Sequence, residues 1–358
     1  MTIPTWPPGP GAKLRADLAA LPAYVAGRKS PGAVVLASNE SPYGLLPGIG
    51  ELLADAAQGT SRYPDMGATA LLEALAQHHG VEPSRVAVGA GSVEVLGQLV
   101  AATTGPGDEV VFGWRAFEAY PIVTAVAGGT AVRVPLTDGH VHDVDALAAA
   151  VTDRTRVVLV CNPNNPTSTA VGEKELLRIA DAVPEDVLVV VDEAYREYVD
   201  PDVVPDGFAL LGDRPNVAVL RTFSKAYGLA GLRVGYCLGH PELIRVVRTC
   251  QVPFSVSALA QSAAVAALGQ QDEVARRCAL TVAERDRVTA ALRALDHEVP
   301  DSQANFVWLP LGARSTAFAQ HCAQAGVLVR PFVDEGVRVT VGLPEENDAF
   351  LSAASSFR

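Results

Sequence analysis

Paired cysteines, membrane-length apolar runs, metal-binding spacings and an excess of basic charge are all missing from this chain of 358 residues. Its five cysteines, Cys161, Cys237, Cys250, Cys278 and Cys322, are scattered with no close pair. That spacing suits free thiols in a reducing cytoplasm better than a disulfide framework or a zinc site. The densest apolar run, Val187 to Val191, is far too short to span a bilayer. Met1 to Gly11 is rich in Pro and Gly and lacks the basic-then-apolar layout of a secretory signal. Lys and Arg total 28 against 40 Asp and Glu, a net charge of -12. Such a balance repels a phosphate backbone, so nucleic acid is not an expected partner, and neither is a membrane. The histidines form no HExxH; His140 and His142 share a strand face without a third ligand nearby and read as surface residues, so no metal is expected.

What is present is apolar material, with 49% hydrophobic against 19% charged residues. A chain of this length exceeds what one core usually serves, which favours two domains. Short β-rich runs (86–88, 109–112, 132–136, 157–160, 187–191, 217–220 and 234–238) alternate with helical patterns at 70–79, 92–103 and 173–182. Continuous apolar strands spaced by helices predict a mostly parallel sheet covered on both faces. After about Pro253 two Ala-rich helical stretches follow, at 258–268 and 272–295. Short strands near 305–309, 327–330 and 337–341 and a last helix from Glu345 complete the chain. The fold class is therefore α/β, with a large domain over residues 46–252 and a smaller α+β domain over 253–358. Residues 1–45 form an arm and part of the small domain.

In an open parallel sheet, ligands bind beyond the carboxyl ends of the strands. Four apolar runs here end in polar clusters: Gly89-Ala90-Gly91-Ser92, Cys161-Asn162-Pro163-Asn164-Asn165-Pro166-Thr167, Asp192-Glu193-Ala194-Tyr195 and Arg221-Thr222-Phe223-Ser224-Lys225. Taken singly, each has an ordinary reading. An apolar strand before Asp-Glu could be a Walker B element, but the chain has no GxxxxGK[ST] loop to go with it. A lone lysine is usually solvated, Asn and Pro are turn residues, and many helices open with Gly or Ser.

Jointly, and with Ser38-Asn39-Glu40-Ser41-Pro42-Tyr43-Gly44, Arg62-Tyr63-Pro64-Asp65, Ser224 to Gly235 and Arg338-Val339-Thr340-Val341-Gly342 in the same order, the chain resembles a known family. These are the pyridoxal-phosphate (PLP) dependent aminotransferases of fold type I, in the branch holding histidinol-phosphate and aromatic amino acid aminotransferases. The resemblance implies PLP as cofactor, tethered through its aldehyde by the amine of Lys225, which then also moves the substrate proton. It places Asp192 at the pyridine nitrogen, whose proton a carboxylate stabilises. Tyr195 and Asn165 fall at the ring's phenolic oxygen, and Phe117 stacks on the ring face or else belongs to the core. Phosphate contacts fall to Gly91, Ser92, Thr222, Ser224 and Arg233. Tyr63 is expected to reach the phosphate of a neighbouring subunit, which implies a homodimer with shared sites. Arg338 matches the clamp for the substrate carboxylate, with Asn39, Tyr24 and Asn165 beside the substrate. Arg330 and Arg115 lie near enough in the pattern to help hold a phosphate or to be solvated charges. Ser168 stands where the family usually has Gly, which strains the backbone if φ is positive there.

The expected activity moves an amino group between an aromatic L-amino acid, phenylalanine or tyrosine, and a 2-oxo acid such as 2-oxoglutarate. The aromatic segment 112–117, with Tyr24 and Tyr43, favours this over histidinol-phosphate transamination. A PLP lyase or decarboxylase would share the cofactor residues. A PLP-dependent regulator would need a fused DNA-binding segment, and no basic helix-turn-helix is legible before the domain.

Overall fold

The computed structural model describes residues 12–22, 27 and 30–357. Among the described residues, eleven strands fall into two sheets. β1 (Val34–Leu36) is followed by β2 (Val86–Gly89), β3 (Glu109–Trp114), β4 (Thr130–Pro135), β5 (Thr155–Cys161), β6 (Leu188–Asp192), β7 (Val217–Thr222) and β8 (Gly235–Gly239). β9 (Phe306–Leu309), β10 (Val327–Phe332) and β11 (Gly336–Thr340) follow in the last part of the chain. The seven-stranded sheet runs β2-β8-β7-β6-β5-β3-β4. It is parallel except at β8, which pairs antiparallel with β2 and β7. The four-stranded sheet runs β1-β10-β11-β9.

Every residue of β2, β5, β6, β7 and β8 is buried apart from Arg156, as their unbroken apolar sequences require when helices cover both faces. One helical layer, with Val95, Leu96 and Leu99, packs on Val110, Leu159, Val190 and Leu220. The other, with Leu176 and Ile179, packs on Val158, Val189 and Val219. The strands and the helices Thr69–His79, Ser92–Thr103, Glu173–Ala182 and Ala258–Leu268 lie within a residue or two of their sequence-based positions. β1 was not expected, because three residues are too few to show a period; it is held by parallel pairing with β10, about 290 residues later in the chain. The helix Gln271–Ala294 joins the two cores: Val274 and Cys278 pack with the large-sheet helices, Val288 and Leu292 with β9 to β11. Ala260, Ala263 and Ala264 also pack with Leu71, Val86 and Tyr236, on the large-sheet side.

His142 corrects one expectation. It is 4% exposed, and a ring nitrogen meets the Cys161 carbonyl at 3.0 Å. Gly113 on the adjacent strand has no side chain, and a Cβ there would collide with the His142 ring. The glycine makes room for a histidine that composition alone assigned to the surface. Burial pushes its pKa down to about 4, so it is a neutral core residue.

Candidate active site

The carboxyl ends of β5, β6 and β7, the start of the helix Ser92–Thr103 and the edge of the small sheet enclose one cavity of about 750 Å³. That is ample for a cofactor and a small substrate together. At its floor lies Asp192, the last residue of β6, 5% exposed. Its Oδ2 accepts a hydrogen bond from Tyr120 at 2.9 Å. Oδ1 is buried with no hydrogen-bond partner among the described residues. Burial pushes this carboxyl up to about 6, against the pull of the Tyr120 hydroxyl. Such an oxygen calls for a cationic donor supplied by whatever fills the cavity.

Lys225 follows β7 and lines the same cavity, its Nζ donating to the Ser38 carbonyl at 3.1 Å. Enclosure and the nearby Arg338 cation lower its pKa to about 7, with Arg233 adding to the effect and Glu40 opposing it. An amine so placed is about half neutral near pH 7, and the neutral form is nucleophilic. Tyr195 stands beside it, the ring centre 5.9 Å from Nζ. The Tyr195 hydroxyl accepts from Asn39 Nδ2 at 3.0 Å, and its ring meets Phe306 edge-on at 5.0 Å. Burial raises the Tyr195 pKa, while Arg338 and the Asn39 bond oppose the rise. Asn39 is itself fixed by Thr340, whose hydroxyl donates to Oδ1 at 3.0 Å.

A cationic cradle lies at the first turn of the helix Ser92–Thr103. Gly91, with φ 84°, precedes the turn, and a Cβ on it would strike the Arg233 guanidinium. Gly235 on β8 is required for the same approach, since a Cβ there would strike the Ser92 backbone nitrogen. Arg233 Nη1 reaches the Ser224 hydroxyl at 3.4 Å, and Thr222 donates to the same oxygen at 3.0 Å. A helix N-terminus, a guanidinium and the hydroxyls of Ser92, Thr222 and Ser224 together suit a phosphate.

Arg338 on β11 enters from the small sheet. Its Nη1 donates to Asn165 Oδ1 at 2.6 Å and its Nη2 to the Ala37 carbonyl at 2.7 Å, which aims the fork. Phe117 lines the wall and meets Tyr120 edge-on at 5.8 Å.

The structure thus brings together Lys225, Asp192, Tyr195, Asn165, Asn39, Ser92, Thr222, Ser224, Phe117, Arg233 and Arg338 around one space, with Gly91 directly behind Arg233. Tyr63 stands apart, 82% exposed and stacked on Phe254 at 4.6 Å. Arg115 is bound to Glu335 by both Nε and Nη2 and lies over the Trp114 ring, outside the cavity lining. Arg330 does line it, paired with Glu118 at 2.9 Å. Tyr24 lies outside the described residues. Ser168 has φ 63° and is fully buried, so serine does occupy a left-handed backbone there. Tyr120, Glu118 and Phe332 also face or support the site and were not singled out from sequence. Only the pairing of Asp192 and Arg330 with their neighbours reveals them.

The model of the family described as aminotransferase class I and II matches residues 31–353. An aromatic amino acid aminotransferase from Thermobifida fusca is 57% identical over 348 residues, covering 96% of this chain and 97% of its own. One of the same name from Streptomyces avermitilis is 55% identical over 350 residues, covering 97% and 98%. Among solved structures, the histidinol-phosphate aminotransferase of Sinorhizobium meliloti, in complex with pyridoxal-5'-phosphate, superposes with a TM-score of 0.87 at 30% identity over 96% of this chain and 97% of that one. With this coverage and identity, the chain belongs to the class I and II aminotransferases.

Proposed function

We propose that this aminotransferase uses PLP to transfer the amino group of phenylalanine or tyrosine to a 2-oxo acid such as 2-oxoglutarate. The observation that carries the cofactor reading is the unpartnered Oδ1 of Asp192. A protonated pyridine nitrogen satisfies it, and the buried carboxylate in turn keeps that proton in place. The cradle of Ser92, Arg233 and the Thr222 and Ser224 hydroxyls holds the phosphate. Bound there, the cofactor supplies an aldehyde for the amine and an electron sink for the substrate's Cα electrons.

The chain's own groups do the rest. Lys225 Nζ would tether the cofactor through its aldehyde, and the same amine would take the proton from the substrate Cα and hand it to the cofactor carbon that bore the aldehyde. Arg338 binds the α-carboxylate with its planar fork, held in aim by Asn165 and Ala37. Tyr195, fixed by Asn39, presents its hydroxyl to the cofactor's phenolic oxygen. Phe117 covers one ring face.

The substrate preference rests on the wall. Phe117, Ile122, Val123 and Phe332 give the cavity an apolar side, suited to a ring and poor for a phosphate dianion. Glu118 already engages Arg330, the second arginine a phosphate would need. Relatives named aromatic amino acid aminotransferase, at more than half identity, support the same choice.

A homodimer with shared sites accounts for Tyr63 and Phe254 forming an exposed stack, with Met66 and Val252 also exposed in the same two segments. Cytoplasmic location fits five free cysteines, and no helix among the described residues is long and apolar enough to cross a membrane. The deciding experiment compares kcat/KM for phenylalanine and tyrosine, with 2-oxoglutarate, against histidinol phosphate under matched conditions. A histidinol-phosphate preference of about tenfold or more sinks the aromatic reading, because an apolar pocket discriminates by only that order.

A further inference from the structure

Arg330 and Arg338 are direct partners in the β10–β11 ladder, and both line the cavity. Two guanidinium forks side by side would make a strong site for a dianion. Their surroundings differ, however. Among the described residues, Arg338 donates to the neutral oxygens of Asn165 and Ala37. Arg330 gives Nη2 to Glu118 Oε2 at 2.9 Å, from a side chain that is 14% exposed. Glu118 also lies 3.9 Å from Arg115, which Glu335 occupies. Glu118 therefore sets a carboxylate against Arg330 in a wall that Phe117 and Phe332 also line.

We propose that Glu118 is a specificity-determining residue that disfavours substrates with an acidic or phosphorylated side chain. Such a side chain must take Arg330 from Glu118 and then lie against the Glu118 carboxylate. Like charges in a partly desolvated wall repel strongly and are screened little by salt. An aromatic side chain disturbs neither group. The acceptor 2-oxoglutarate, with its second carboxylate, meets the same obstacle. The proposal rests on the aromatic reading only for its reference substrate.

Glu118→Gln keeps the size and an acceptor oxygen while removing the charge. The holoenzyme is assayed with L-phenylalanine, L-glutamate and histidinol phosphate, and the binding of unreactive glutarate and 3-phenylpropionate is measured by calorimetry. The ratio of kcat/KM for either acidic substrate to that for phenylalanine should rise about tenfold or more, chiefly through KM, since one tenfold step is a small fraction of a like-charge contact. Glutarate should tighten in parallel, with 3-phenylpropionate changing by less than about threefold, and KM for 2-oxoglutarate should fall. Adding Arg330→Gln should abolish the gain. Arg330→Gln alone leaves the Glu118 carboxylate with only the more distant Arg115, itself bound to Glu335, and should push the ratio below wild type, which decides the matter if Glu118→Gln does not fold. A ratio within about twofold of wild type in the folded Gln variant, an equal loss for all substrates, or a gain that survives the loss of Arg330 each overturns the proposal. A wild-type preference for histidinol phosphate overturns the aromatic reading alone, because the Glu118 effect is read as a change from wild type.

Discussion

Tyr120 gives its hydroxyl hydrogen to one oxygen of Asp192 and leaves the other buried with no hydrogen-bond partner among the described residues. The bond fixes the carboxylate's rotation, and the second oxygen would be the one to accept from a protonated ring nitrogen. Asp192→Asn should still bind PLP through the phosphate cradle. It should slow the half-reaction with phenylalanine about 100-fold or more, the order expected when a proton-holding group is lost. Single-turnover absorbance measurements check this, and a rate within a few-fold of wild type removes Asp192 from its role. Tyr120→Phe should have a smaller effect on rate and a clear one on stability, about 1–3 kcal/mol, because it strips a buried carboxylate of its side-chain donor.

Lys225→Ala should abolish transamination and covalent attachment of the cofactor. Borohydride treatment of the wild type followed by peptide mass analysis should find the PLP adduct on Lys225. An adduct on another lysine at full occupancy in the variant would show that Lys225 is not the tether.

Tyr63→Phe should weaken cofactor retention by roughly 1.5–3 kcal/mol, the loss of one charge-assisted hydrogen bond. The exposure of Tyr63 in the single chain makes the sharing testable. Mixed dimers of a Lys225→Ala chain and a Tyr63-defective chain should contain one intact site. Hybrid activity no better than that of either parent argues that each subunit works alone.

Ser168 carries a test of backbone strain. Its hydroxyl donates to the Thr167 carbonyl at 2.6 Å, its amide donates to the Asn164 carbonyl at 2.8 Å, and its own carbonyl accepts from Gln303 at 2.8 Å. The left-handed backbone is thus held from both sides. Ser168→Ala keeps the strain and loses the hydroxyl bond, whereas Ser168→Gly relieves the strain. The Gly variant should be the more stable of the two by about 1 kcal/mol. Denaturant unfolding of the apoproteins decides it, and an Ala variant as stable as the Gly variant would show that the segment relaxes.

The chemistry was legible in the sequence wherever an apolar strand ran into a polar tail. Asp192, Asn165, Lys225 and Ser92 all sit at such junctions, and the parallel sheet brings those ends together. Tyr120 was not legible, because it lies in the apolar helix Ala119–Ala127 and only its depth beside Asp192 gives it a role. The Glu118–Arg330 pair joins residues 212 apart, a proximity no local pattern encodes. His142 was misread for a related reason: it lies between β4 and the next helix rather than on a strand, and the space it fills is opened by Gly113 on β3.

The titration of Lys225 offers the most direct check on the site's electrostatics. Burial and Arg338 bring its folded pKa to about 7 from an ordinary value of 10.5. Below 7 the amine is charged in both the folded and the unfolded apoprotein, and the folded state bears the full cost of burying that charge. Between about 7 and 10.5 the folded amine is neutral while the unfolded one stays charged, so the unfolded state binds more protons and stability rises with pH. Lys225→Met removes the charge at every pH. The variant apoprotein should therefore be more stable than wild type at pH 7, and the difference should shrink steadily toward pH 10. Cofactor capture should follow the same group, because only the neutral amine attacks the aldehyde: below the pKa the rate falls by about tenfold for each pH unit. Denaturant unfolding of both apoproteins across this range, with stopped-flow measurement of PLP uptake by the wild type, tests both consequences. A stability difference independent of pH, or an uptake midpoint near 10, would place the Lys225 amine in water rather than in the enclosed, cation-lined pocket that its part in proton transfer requires.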